Sequence, residues 1–269
     1  MSSIKKRAIC AALACAFMPV AAFAETPDSA SHPAIAAGLN IPMGASSSAA
    51  LRAPVPSMGR AVLVDAASAQ LFMIDNGRVV DSMKVIVGKP QAATPTLKST
   101  LFYATVNPYW NVPADLARTI IAPHVLEQGL SYLKDRGYEV VSNFGDDAEI
   151  LPASSVDWKA VAAGRATVSV RQRPGPANSM GQMKFGFDNN DGIYLHDTPR
   201  KELFASADRN LSNGCVRLED APRLARWLLG RDPSVASSAP EQHLPLPGGV
   251  PIVITYLDPM ARSQVAALH

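Results

Sequence analysis

Short apolar runs separated by turn residues dominate the chain from position 59 onward. Arg60–Asp65 and Gln70–Asp75 are two such runs. Leu71–Val80 reads as a hairpin closed at Asn76-Gly77, a pair suited to a two-residue turn in which both positions need positive φ. Met83–Val87 and Leu101–Val106 continue the strand pattern, with Gly88-Lys89-Pro90 as a turn between them. Thr167–Arg171, Met183–Phe187 and Ile252–Tyr256 are further strands. Helical stretches are fewer. Ala114–Gln128 is one, broken or kinked by Pro123. Asp157–Ala163 is a second. Ala221–Leu229 is a third, with Asp220 as N-cap, Pro222 in its first turn and Gly230 as its stop. Ser234–Gly249 reads as a Pro-rich loop. Successive strands without crossover helices predict a β-meander, which disfavours a doubly wound nucleotide-binding fold. No Gly-rich phosphate loop occurs. The expected class is α+β, predominantly β. A single domain of mixed sheets and a few short helices should span residues 58–258, with residues 259–269 as a tail.

The first residues follow a different pattern. Met1–Arg7 is basic, Ile9–Val20 is apolar, and Ala22-Phe23-Ala24 places small residues where a signal peptidase reads. The apolar run falls short of the ~20 residues of a membrane-spanning helix. Residues 1–24 therefore read as an export signal cleaved after Ala24. Leu13-Ala14-Cys15 faintly resembles a lipidation site, so lipidation at Cys15 stays open as an alternative. Residues 25–57 are rich in Ala, Ser and Pro without periodicity and read as a flexible tether. The expected location is the periplasm or cell envelope.

Composition sharpens this reading. The chain has 269 residues, is 48% hydrophobic and 6% aromatic, and carries a formal charge of +2. It can build a sizeable, largely aliphatic core, which excludes a disordered protein. Loss of Lys5, Lys6 and Arg7 with the signal leaves 22 basic against 23 acidic residues. A surface that tracks nucleic acid is therefore not expected.

Cys10 and Cys15 would leave with the signal, so Cys215 would be the one cysteine of the exported chain. A lone thiol in an oxidising compartment is a buried hydrophobe, an intermolecular disulfide partner or a nucleophile. Its neighbourhood favours the last. Tyr194-Leu195-His196-Asp197-Thr198 places a histidine at the end of an apolar run, and Ser212-Asn213-Gly214-Cys215-Val216-Arg217-Leu218 follows. A Ser-Asn-Gly turn can expose the sulfur and leave the Gly214 and Cys215 N–H groups to bind an oxyanion. His196 is the natural base for the thiol. Arg217 can pair with a carboxylate. His32, His124, His243 and His269 are scattered without ligand spacing, so no metal or cofactor is expected.

These two segments resemble the active-site signature of the L,D-transpeptidase catalytic domain (YkuD-type) family. Val87-Gly88-Lys89-Pro90 through Thr94-Pro95 and Asn107–Pro113 resemble further family segments. Arg171–Pro176 with Asn178, Gly181 and Lys184-Phe185 resembles its YcbB-like subgroup. The resemblance implies Cys215 as nucleophile and His196 as proton acceptor and donor. Ser212, Asn213, Arg217 and Tyr194 would bind substrate, and residues 107–178 would form a lid. Asp197 stands where many members have Gly, so either a backbone carbonyl or the Asp197 carboxylate could orient the imidazole.

The implied activity is ping-pong acyl transfer between peptidoglycan stem peptides. Cys215 would displace terminal D-Ala from a tetrapeptide stem, and an amine of a second stem would resolve the thioester. Carbapenems would acylate Cys215. An L,D-carboxypeptidase or a hydrolase releasing wall-bound protein would use the same site with water as acceptor. A non-enzymatic wall-binding module is the reading from another class.

Overall fold

In the computed structural model, residues 55–234 and 238–269 are described. The expected export signal and nearly all of the tether lie outside them. The main sheet uses strands β1 (Arg60–Asp65), β2 (Gln70–Asp75), β3 (Arg78–Gly88) and β4 (Leu97–Val106). It continues with β9 (Met183–Phe187), β10 (Leu195–His196), β11 (Asn210–Ser212), β12 (Val216–Leu218) and β13 (Gln242–Thr255). Between β4 and β9 the lid segment contributes β5 (Trp110–Asn111), β6 (Tyr138–Val141), β7 (Ile150–Leu151) and β8 (Ser169–Gln172).

The nine main strands run in the order β11-β3-β12-β10-β9-β4-β13-β1-β2, and β2 also pairs with β3. The expected meander holds only for β1–β3. Apart from the antiparallel β9–β10 pair, later neighbours are non-sequential, and β1–β13 and β10–β12 are parallel. The first hairpin turns as expected, with Asn76 and Gly77 both at positive φ.

Alternation sorts the side chains. Val62, Val64, Leu71, Met73, Val85, Phe185, Leu195, Val216, Ile252 and Ile254 share one core. Helix α5 (Ala221–Leu229) seals it with Ala221, Leu224, Ala225, Leu228 and Leu229, a stripe at helical spacing. Burial of Leu224 and Leu228 contributes about 2 kcal/mol each. Asp220 caps α5 by accepting the Arg223 N–H at 3.0 Å.

Two expectations are corrected here. Residues 259–269 do not form a bare tail: Pro259–Ala266 is helix α6, and its Ala261 and Val265 pack on Leu63, Phe72 and Ile74. The buried Asp65 carboxylate holds this junction through the Leu257 N–H and Arg262. The expected Pro-rich loop is largely strand β13, which pairs with β4 from Gln242 to Pro245 and again from Val250 to Ile254. Its pairing with β1 begins only at Ile252. Pro245 and Pro247 thus lie where the second edge of β13 needs no N–H donor.

The insertion between β4 and β9 has its own core of Val112, Ile121, Val125, Tyr132, Leu133, Val140, Trp158, Val161 and Val170. Its sheet has the order β5-β8-β6-β7. Pro123 does not break the expected helix. Helix α1 (Ala114–Leu116) widens into a π turn over Ala117–Ile121 before α2 (Ala122–Gln128). The wider turn accommodates the missing proline donor and its ring. Two further helices, α3 (Ser131–Asp135) and α4 (Trp158–Ala162), complete the lid. Asn178 staples its two ends. Its buried Nδ2 donates to Pro108 O and Arg173 O, both at 2.9 Å, and its Oδ1 accepts the Met180 N–H.

Candidate active site

The site is built on the parallel pair β10 and β12. Their register sets Leu195 beside Val216 and His196 beside Arg217. Leu195 and Val216 point into the core and are 0% exposed. His196 and Arg217 therefore project to the opposite face, together with Cys215, two positions before Arg217. His196, Ser212, Asn213, Cys215 and Arg217 line one cavity of about 460 Å³. Its roof is the lid wall of Trp110, Ile120, His124, Tyr132, Arg136 and Tyr138. Tyr132 stacks on both His124 and Tyr138.

The turn that carries Cys215 is braced from below. Gly214 has φ +119°, a conformation that disfavours any side chain. Its carbonyl accepts the Thr94 hydroxyl at 2.7 Å, and that hydroxyl accepts the Gly88 N–H at 2.9 Å. Gly88 is required: a Cβ there would lie 2.1 Å from Ala92 O. The Lys89 N–H donates to Ser212 O at 2.9 Å. The Val87–Pro95 segment singled out in the sequence thus forms the floor of the cysteine turn.

His196 is 5% exposed. Its Nδ1 lies 2.5 Å from Asp197 O. A carbonyl only accepts, so Nδ1 carries the proton and Nε2 is left to act as base. The orienting group is the backbone carbonyl. The Asp197 carboxylate points elsewhere, accepting Lys201 Nζ at 2.7 Å and the Gln182 N–H at 2.9 Å. Gly181 leaves room for it, since a Cβ there would lie 2.4 Å from Asp197 Oδ2.

Burial first, and the Arg217 charge second, lower the His196 pKa to about 4. Burial pushes the Cys215 thiol up, opposed by a backbone hydrogen bond from Tyr194 and by Arg217. The resting pair is a neutral imidazole and a neutral thiol. Burial also depresses Arg217, with Arg200 acting in the same direction. The Cys215 sulfur is only partly buried and lies 3.8 Å from Gly192 O.

Two expected site features differ. The Gly214 N–H is not open to an oxyanion, because it donates to Ser212 Oγ at 3.1 Å, and that hydroxyl donates to Cys215 O at 2.6 Å. Among the described residues the Cys215 N–H has no acceptor, so it is the backbone donor left for a developing oxyanion. Tyr194 does not line the cavity. It flanks the cavity on the His196 face: its backbone hydrogen-bonds the Cys215 sulfur, and Lys184 Nζ lies 5.9 Å from its ring centre. The lid wall was not legible as site residues beyond Trp110, which sits in the Asn107–Pro113 segment. Among the described residues, no three His, Cys, Asp or Glu side chains cluster in a way that could hold a metal.

The sequence model of the L,D-transpeptidase catalytic domain (YkuD) matches residues 59–254. The chain belongs to that family. A Haemophilus influenzae protein, named provisionally as an L,D-transpeptidase, is 30% identical over 210 residues, covering 76% of this chain and 42% of the relative. The chain thus spans less than half the length of that curated relative. Among solved structures, an L,D-transpeptidase from Mycobacterium smegmatis is 17% identical, with 73% of this chain and 58% of that one covered, at a TM-score of 0.36. L,D-transpeptidase 3 from Mycobacterium tuberculosis, in complex with a faropenem-derived adduct, is 11% identical, with 73% and 60% covered, at a TM-score of 0.36. Family membership rests on the sequence match.

Proposed function

We propose that the protein is an exported cysteine L,D-transpeptidase that cross-links peptidoglycan stem peptides through a Cys215 thioester. The observation that supports it most is the shared cavity of Cys215, His196 and Arg217, roofed by a lid, in a chain of this family. In the proposed cycle the third residue of a tetrapeptide stem places its carbonyl carbon at the sulfur. His196 Nε2 takes the thiol proton as sulfur attacks, so the thiolate forms only when it is used. The oxyanion meets the Cys215 N–H, and the nearby Arg217 charge stabilises it in a site that the lid keeps from water. The imidazolium then protonates the departing D-Ala nitrogen. A second stem brings an amine, which attacks the thioester carbonyl. The C–S bond breaks and the proton returns to sulfur through His196.

The same geometry predicts acylation by carbapenems, whose strained carbonyl is a target for a thiol with its own base and oxyanion donor. Intact-protein mass spectrometry after carbapenem treatment tests this. One adduct is expected on wild type, much slower labelling of His196→Ala, and none on Cys215→Ala. Equal labelling of wild type and His196→Ala would remove His196 from the mechanism.

A further inference from the structure

The base and the nucleophile sit on strands that share little pairing. β10 is two residues long, and its register with β12 comprises Leu195 with Val216 and His196 with Arg217. One step past those pairs come Asp197 on one strand and Leu218-Glu219 on the other. A single ammonium bridges them. Lys201 Nζ donates to Asp197 Oδ1 at 2.7 Å, to Leu218 O at 3.2 Å and to Glu219 O at 2.7 Å. An ammonium has three protons, so each finds an acceptor.

This bridge differs from an exposed ion pair, which stabilises little. The Asp197 side chain is 11% exposed, so its carboxylate depends on the partners it has. Its second oxygen, Oδ2, takes the Gln182 N–H, in the space that Gly181 leaves open. Its backbone N–H donates to Met183 O at 2.8 Å. Asp197 is thus pinned at its N–H and at both carboxylate oxygens, and its carbonyl is the group that accepts His196 Nδ1–H. Any drift of this residue turns that carbonyl, and the imidazole with it. Lys201 itself opens a short 3-10 helix, Lys201–Ala205, anchored by the buried Phe204, whose ring centre lies 5.7 Å from Nζ. Lys201 is absent from the lining of the cysteine cavity, so it acts on the site only through its partners.

We infer that Lys201 is a positioning residue for the acyl transfer: through the Asp197 carboxylate it fixes the carbonyl that keeps His196 in its Nδ1–H form, and through Leu218 O and Glu219 O it locks that base to the strand that follows Cys215. The inference rests on the Cys215–His196 mechanism above. The ammonium charge adds a second effect. The Asp197 carboxylate favours the imidazolium, whereas Lys201 opposes it, as Arg217 does. With Lys201 in place the carboxylate serves as a strut while the imidazole stays neutral and able to take the thiol proton.

The test compares purified wild type with Lys201→Met, which keeps the length and removes all three donors, and with Lys201→Arg, which keeps the charge and several donors. Nitrogen-15 NMR of the His196 ring at neutral pH, without substrate, reads the tautomer. Wild type and Lys201→Arg should show a protonated Nδ1 and a bare Nε2, and Lys201→Met a mixture of the two neutral forms. Acylation of Cys215 by a carbapenem, followed by intact mass over a range of drug concentrations, reads the chemistry. Lys201→Met should lower the limiting rate constant about tenfold or more, with the half-saturating concentration near wild type. Lys201→Arg should recover most of that rate. Lys201→Gln, a milder change that keeps two donors on a shorter arm, should move both readings the same way, and it carries the test if Lys201→Met does not fold. A wild-type tautomer in the folded variant overturns the proposal, and so does acylation at the wild-type limiting rate. Because the tautomer is read without substrate, a wild type that forms no adduct removes the proposed activity and leaves the nitrogen signals to decide the role of Lys201.

Discussion

At the residue scale the account turns on protonation. With His196 titrating at about 4 and the Cys215 thiol raised, no thiolate–imidazolium pair exists at neutral pH. Alkylation of Cys215 by a small electrophile should therefore climb steadily with pH through the neutral range. A plateau beginning near pH 6 would indicate a pre-formed ion pair. The buried histidine also links pH to stability. Its folded pKa is depressed from 6.5, so between pH 6.5 and 4 the unfolded chain binds more protons than the folded one. Stability contributed above pH 6.5 is lost as pH falls through the folded pKa near 4, by about 3 kcal/mol. Denaturant titrations at a series of pH values should show that loss in wild type and not in His196→Gln. A second residue-scale consequence concerns Gly88. Its Cβ would strike Ala92 O, so Gly88→Ala must shift backbone that Thr94 ties to Gly214. Carbapenem acylation of Gly88→Ala should fall at least about tenfold, while melting drops by several degrees.

At the element scale the insertion between β4 and β9 stands apart from the main sheet. It has its own core, and the buried Asn178 side chain ties its two ends together. Asn178→Ala leaves the Pro108 and Arg173 carbonyls without that donor and should weaken lid closure by about 2 kcal/mol. Hydrogen exchange should then speed up across residues 110–172 and stay unchanged in β1, β2 and β13. Uniform exchange throughout the domain would show that lid and sheet open as one unit. Element boundaries explain which parts of the sequence misled. Asn76-Gly77 and the capped helix at Asp220 were readable because each signal is complete within a few residues. The first half of strand β13 was hidden, although Ile252–Thr255 was legible, because Pro245 and Pro247 suppress the strand pattern and are harmless only where β1 does not yet pair with β13. The π turn was hidden because Pro123 usually ends a helix, and the widened geometry depends on packing against the lid core.

At the scale of the whole molecule, residues read separately converge. The segment from Ser212 to Leu218 was legible because motif and turn lie side by side in the chain. His196 was legible through its separation from that motif. The aromatic roof and the Lys201 bridge were not, because Trp110, His124, Tyr132 and Lys201 meet their partners only through the register of non-sequential strands and the fold of the lid. One sheet face carries the cysteine, its base and Arg217, and one insertion covers them all. The most direct test is mass spectrometry of muropeptides after incubation of tetrapeptide-stem substrate with the purified protein and its Cys215→Ala variant. The account predicts release of D-Ala and direct diaminopimelate–diaminopimelate dimers with wild type, and neither product with a folded Cys215→Ala. Cross-linked dimers formed equally by Cys215→Ala would contradict it.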